Sequence, residues 1–95
     1  MTTLNLDPIK PLLKQGHVGF AGVFGSRARG DAKKNSDLDM LVRFNKRAGL
    51  LHLIGLEQKL SKELGMKVDL VTEGGLSPYI RDRVLKDLQP IYGTR

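Results

Sequence analysis

Residues 25–39 read Gly25-Ser26-Arg27-Ala28-Arg29-Gly30-Asp31-Ala32-Lys33-Lys34-Asn35-Ser36-Asp37-Leu38-Asp39. A short apolar run, residues 17–24, leads into this stretch, and a second, residues 38–44, leads out of it. Both runs are too short for buried helices and rich in Val, Phe and Leu, so each reads as a strand. Between them, residues 26–32 have room for one or two helical turns before the polar loop KKNS. The order is therefore strand, glycine–serine turn, short helix, loop, and a strand that opens on two acids.

Working outward, Asp7-Pro8 reads as a helix start and Gly16 as its close, with Pro11 against a regular helix in between. Beyond the second strand the period turns helical. It opens at Lys46 or Arg47 and runs to Leu64, placing Leu50, Leu53, Ile54, Leu56, Leu60 and Leu64 on one broad face. Leu51 points away from that stripe, and Gly65 stands where a C-terminal glycine belongs. Residues 67–72 (KVDLVT) predict a third strand and residues 73–75 a turn. Ser77-Pro78 then caps a last helix with Ile80, Val84, Leu85 and Leu88 facing inward. Ile91-Tyr92 reads as an edge strand or a tail. Tyr79 and Tyr92 read as packing residues, His17 and His52 as surface or packing residues, and Lys33 and Lys34 as a solvated loop. This alternation predicts an α/β (α+β) fold, a small mixed β-sheet with helices packed on it, in one domain over residues 1–95.

Composition narrows the function classes. The chain has 95 residues and no cysteine, which excludes a disulfide framework, a thiol nucleophile and cysteine-ligated metal. The two histidines are far apart in sequence. The N-terminus lacks the pattern of a signal peptide and no apolar run approaches spanning length, so the expected compartment is the cytoplasm, with no membrane association. Sixteen Lys and Arg against ten Asp and Glu give a net charge of +6, which suits a phosphate-rich partner. Only 5% of residues are aromatic, which leaves few stacking platforms, so direct nucleic-acid binding is the weaker reading.

The chemistry concentrates in three aspartates. Asp37 and Asp39, two apart at the start of a strand, point to one side with Cα atoms about 6.6 Å apart. Two carboxylates so placed can share one hard cation or two. Asp69 lies in the next predicted strand and joins them if the strands are neighbours. Two such charges repel by roughly 3 kcal/mol at 6 Å and an effective dielectric of 20, so the cluster needs a cation or a retained proton. Gly25-Ser26 at a strand-to-helix turn lets backbone amides and a hydroxyl grip phosphate, with Arg27 and Arg29 adding charge.

The combination Gly25-Ser26, ten residues, Asp37-Leu38-Asp39, then a strand-borne Asp69, resembles the minimal nucleotidyltransferases of the DNA polymerase β-like superfamily. The resemblance extends over nearly the whole chain, through residues 76–92. It implies that Asp37, Asp39 and Asp69 are catalytic and hold two Mg2+ ions, that Asp69 helps activate the attacking hydroxyl, and that Gly25 and Ser26 bind the nucleotide; the place of Arg29 beside that turn adds it to the nucleotide-binding set. It further implies transfer of AMP from ATP onto a hydroxyl of a protein, as the antitoxin of a HEPN-domain toxin. Larger relatives carry a second, helical domain that is absent here, so a partner or a second copy is expected to complete the pocket. The rival readings are a non-catalytic subunit that neutralises a partner by covering it, and a nucleic-acid-binding module.

Overall fold

The computed structural model describes residues 5–33 and 35–94. A 3-10 turn (Asp7–Ile9) leads into α1 (Lys10–Gln15), followed by β1 (Val18–Phe24), α2 (Ser26–Arg29), β2 (Leu38–Phe44), α3 (Leu50–Leu64) and β3 (Val68–Thr72). A second 3-10 turn (Glu73–Gly75), α4 (Pro78–Asp87) and β4 (Gln89–Gly93) complete the order. Pro11 falls in the first turn of α1, where its missing N–H costs nothing. His17 adopts φ 63° between α1 and β1, so the strand begins one residue later than its apolar run.

The four strands form one mixed sheet in the order β3-β2-β1-β4. β1 runs antiparallel to both β2 and β4, while β2 and β3 are parallel. Parallel neighbours need a crossover, and α3 supplies it. Alternation along the strands divides the core in two. Val18, Ala21, Val23, Leu38, Met40, Val42, Val68 and Leu70 face Ile9, Leu13, Leu56 and Leu60. On the other face Phe20 and Leu41 pack with Leu76 and Val84, joined by Leu85 and Leu88. Edge strand β4 resolves the choice between strand and tail.

Three expectations fail at helix starts. α3 begins at Leu50, after an extended Gly49, rather than at Lys46 or Arg47. Leu50 is 70% exposed and Ile54 39%, so neither belongs to the inner face. Ile80 is 46% exposed and Tyr79 96%, where packing was expected. Both helices bury their later turns most fully, at Leu56 and Leu60 and at Val84, while Leu50, Ile54 and Ile80 stay exposed. Leu51 does point away, at 85% exposure, and Gly65 closes α3 at φ 66°. His52 packs edge-on against Phe44, and its Nε2 lies 2.7 Å from the Gly16 carbonyl oxygen. Lys33 is exposed; Lys34 lies outside the described residues. Among the described residues no helix is long and apolar enough to cross a membrane.

Candidate active site

The ten-residue spacer is the connection between two antiparallel neighbours, and this brings its two ends together. Phe24, the last residue of β1, pairs with Asp39 in β2. Gly25 therefore arrives beside the Asp39 side chain. It takes φ 76°, ψ −156°, a region open in practice only to glycine. A Cβ built there would fall on the Asp39 Oδ2 atom. Glycine is required twice, by backbone conformation and by contact. Ser26 follows as the first residue of α2, whose first-turn amides have no partners within the helix. Gly30 ends α2 at φ 83°, before the expected limit at Ala32.

The parallel register places Asp39 directly opposite Asp69. Their neighbours Leu38, Met40, Val68 and Leu70 point into the α1–α3 core. Alternation thus puts both acids on the opposite face, at the end where β2 and β3 begin. Asp37, two residues ahead of Asp39, joins that side. The Asp39 carboxyl is held above the ordinary carboxylate range, first by burial, then by the charges of Asp69 and Asp37. Arg29 pulls it the other way. Asp69 and Asp37 thus both lie close enough to act on Asp39. Asp37 also has Lys67 Nζ 3.8 Å from its Oδ2.

The donor set is all carboxylate oxygen, which suits a hard divalent cation. As the side chains stand, no three acidic or histidine side chains among the described residues converge tightly enough to enclose one ion. The fit to magnesium is therefore one of donor chemistry, not of a formed site.

Of the six site residues expected from sequence, Gly25, Ser26, Asp37, Asp39 and Asp69 meet at this rim. Arg29 is close enough to act on Asp39, but its guanidinium is committed elsewhere. Nη1 donates to Asp87 Oδ2 at 2.9 Å and Nε to Asp31 Oδ2 at 3.2 Å, which raises the Arg29 pKa.

Arg27 was expected to add charge for phosphate but is engaged with the backbone, and two further supporting residues, Ser61 and Glu57, escaped the sequence reading. Arg27 donates from Nε and Nη2 to the Ser36 carbonyl oxygen, at 3.2 and 2.7 Å. On the other flank, Ser61 Oγ accepts the Val68 amide at 2.9 Å and Glu57 Oε2 accepts the Leu70 amide at 2.8 Å. These amides bracket Asp69 on the outer edge of β3, where no strand among the described residues pairs with them. The two α3 residues stand four apart beside Leu56 and Leu60, a legible sign of one helix face turned toward a strand edge.

The rim is open. A groove of about 210 Å3, lined by Phe20, Leu41, Phe44 and Thr72 among others, lies at the opposite end of the strands. Another of about 250 Å3 runs between α1 and α3. Neither borders the acids.

A model of the nucleotidyltransferase domain matches residues 8–91. The protein adenylyltransferase MntA of Thermococcus cleftensis is 43% identical over 79 residues, covering 83% of this chain and 80% of that protein. One chain of a toxin–antitoxin crystal structure with AMP-PNP superposes with a TM-score of 0.83 at 29% identity, covering 97% of this chain and 76% of that one. A chain of the Shewanella oneidensis complex of a tri-AMPylated HEPN toxin with MNT antitoxin gives a TM-score of 0.70 at 25% identity, covering 90% and 67%.

Proposed function

This chain belongs to the nucleotidyltransferase domain family, and from that premise we propose that it moves AMP from ATP onto a hydroxyl of a HEPN-domain protein partner, as the antitoxin of a toxin–antitoxin pair. The observation that carries the reading is the meeting of Gly25, Asp39 and Asp69 at one end of the sheet. The relatives named for protein adenylylation and for toxin–antitoxin complexes support the acceptor class.

In this reading Asp37, Asp39 and Asp69 hold two magnesium ions. Magnesium held by these carboxylates would supply Lewis-acid chemistry, lowering the pKa of an incoming hydroxyl and offsetting charge on departing pyrophosphate. The acceptor oxygen bonds to the α-phosphorus as the bond from that phosphorus to the pyrophosphate oxygen breaks. Asp69, the most outward of the two register partners, faces the acceptor and helps draw off its proton. Gly25 brings the backbone close without a side chain in the way, and the Ser26 hydroxyl with the first amides of α2 grips the phosphates. Arg29 contributes charge once phosphate competes it away from Asp87 and Asp31. The open rim leaves base and acceptor to be enclosed by the partner.

The test is transfer of label from α-labelled ATP with magnesium onto a co-purified HEPN-domain partner. Wild type labels the partner and Asp39→Asn does not. Equal labelling by the Asp39→Asn variant overturns the assignment.

A further inference from the structure

We propose that Arg27 is a positioning residue for Asp37, acting through the backbone of Ser36; this deepens the nucleotidyl-transfer reading and rests on it. Arg27 and Ser36 are the first and last residues of the ten-residue spacer between Gly25-Ser26 and Asp37-Leu38-Asp39. The guanidinium spans that spacer and closes it, with two N–H donors on one carbonyl oxygen. Both bonds are partly buried. The far end of the loop is itself braced: Ser36 Oγ accepts the Lys33 amide at 2.8 Å, and the Ser36 amide donates to the Lys33 carbonyl at 3.0 Å.

Asp37 precedes the first residue of β2, so the sheet ladder reaches the chain only at Leu38, whose amide donates to the Lys67 carbonyl at 2.9 Å. Arg27 supplies the restraint on the other side. Asp37 is thus pinned between a ladder bond one residue after it and the guanidinium clasp one residue before it. The same side chain ties the phosphate-gripping turn to the acids, since Arg27 directly follows Ser26. A charge merely placed for phosphate would not need two donors on a backbone carbonyl.

Lysine separates the two roles. It keeps the charge and loses the planar fork. The experiment titrates Mn2+ alone into the free chain, for wild type, Arg27→Lys, Arg27→Ala and Asp39→Asn, and pairs this with label transfer and thermal melts. A positioning role predicts that both Arg27 variants weaken Mn2+ binding about 10-fold, the scale of lost outer support at a metal site. It also predicts that both lower kcat and leave the KM for ATP unchanged. The proposal is overturned if Arg27→Lys matches wild type while Arg27→Ala raises the KM for ATP, which would make Arg27 a phosphate charge. It is equally overturned if both variants bind Mn2+ as wild type does and only melt earlier. If Asp39→Asn binds Mn2+ normally, the site reading itself fails. Should the alanine variant not fold, Arg27→Lys together with amide exchange at Ser36 and Leu38 carries the test: faster exchange supports the clasp, unchanged exchange contradicts it.

Discussion

Asp39 and Asp69 stand directly opposite each other across the parallel β2–β3 pair, on the face away from the main core. Antiparallel pairing of β1 with β2 delivers Gly25 to the same carboxylate. Two pairings of the sheet, one local and one across a helix, therefore build a single acidic rim against a glycine–serine turn.

Burial, and after it the charges of Asp69 and Asp37, penalises the ionised Asp39 carboxylate, and the resulting pH dependence has a definite sign. Asp39 holds its proton to higher pH in the folded chain than in the unfolded one. Between those two values the folded state binds more protons, so stability falls as pH rises through the window. Above it the penalty is complete. Asp39→Asn should raise the melting temperature of the metal-free chain at neutral pH by a few degrees, and the gain should fade toward about pH 4, the ordinary carboxylate range. Melts of both proteins across that range check this. A variant that melts lower than wild type at neutral pH would contradict it.

Gly25→Ala should be costly for two reasons. Its backbone sits where a side chain is strained, at about 1–3 kcal/mol, and its Cβ would displace the Asp39 carboxylate. For a domain this size each kcal/mol lowers the melting temperature by about 4–8 °C. Label transfer should be lost as well. A Gly25→Ala protein with wild-type stability and activity would show that the turn does not face Asp39 in this way.

Removal of Glu57 should loosen the edge strand that carries Asp69. Glu57→Ala leaves the Leu70 amide without its acceptor and should cost about 1–3 kcal/mol. Glu57→Gln keeps an acceptor oxygen and should recover most of that loss. Hydrogen exchange at Leu70 reads the difference directly: fast in the alanine variant, slow in the glutamine variant.

The two ends of α3 should respond oppositely to truncation. Leu60→Ala removes a fully buried side chain and should cost about 2–5 kcal/mol. Leu51→Ala, at an exposed position, should stay within about 0.5 kcal/mol of wild type. Denaturant melts of the two variants decide it.

Much of the fold was legible because its signals are local. β2 spans the residues its apolar run marks, and Gly65 and Ser77 close and open helices where their chemistry predicts. The acids were legible as a trio because Asp is out of place in strands among Leu and Val. Helix starts were harder. The apolar stripe of α3 continues to Leu50 and Ile54, yet sequence period does not reveal how much of a helix the sheet can cover. The same limit misplaced Ile80 and Tyr79. Supporting bonds were least visible: the acceptor of Arg27 is a backbone carbonyl, and Glu57 and Ser61 act on backbone amides. Backbone partners leave no residue type to read. Arg29 was identified by its neighbourhood, whereas its ion pair with Asp87 comes from 58 residues away and needs the folded sheet.

The most direct measurement of the central claim is Mn2+ binding to the free chain and to its Asp69→Asn variant. If Asp37, Asp39 and Asp69 form one cation site, the variant loses affinity although Asp37 and Asp39 are intact. Undiminished binding by Asp69→Asn would show that the third acid stands apart from the other two, and the account of the site would fall with it.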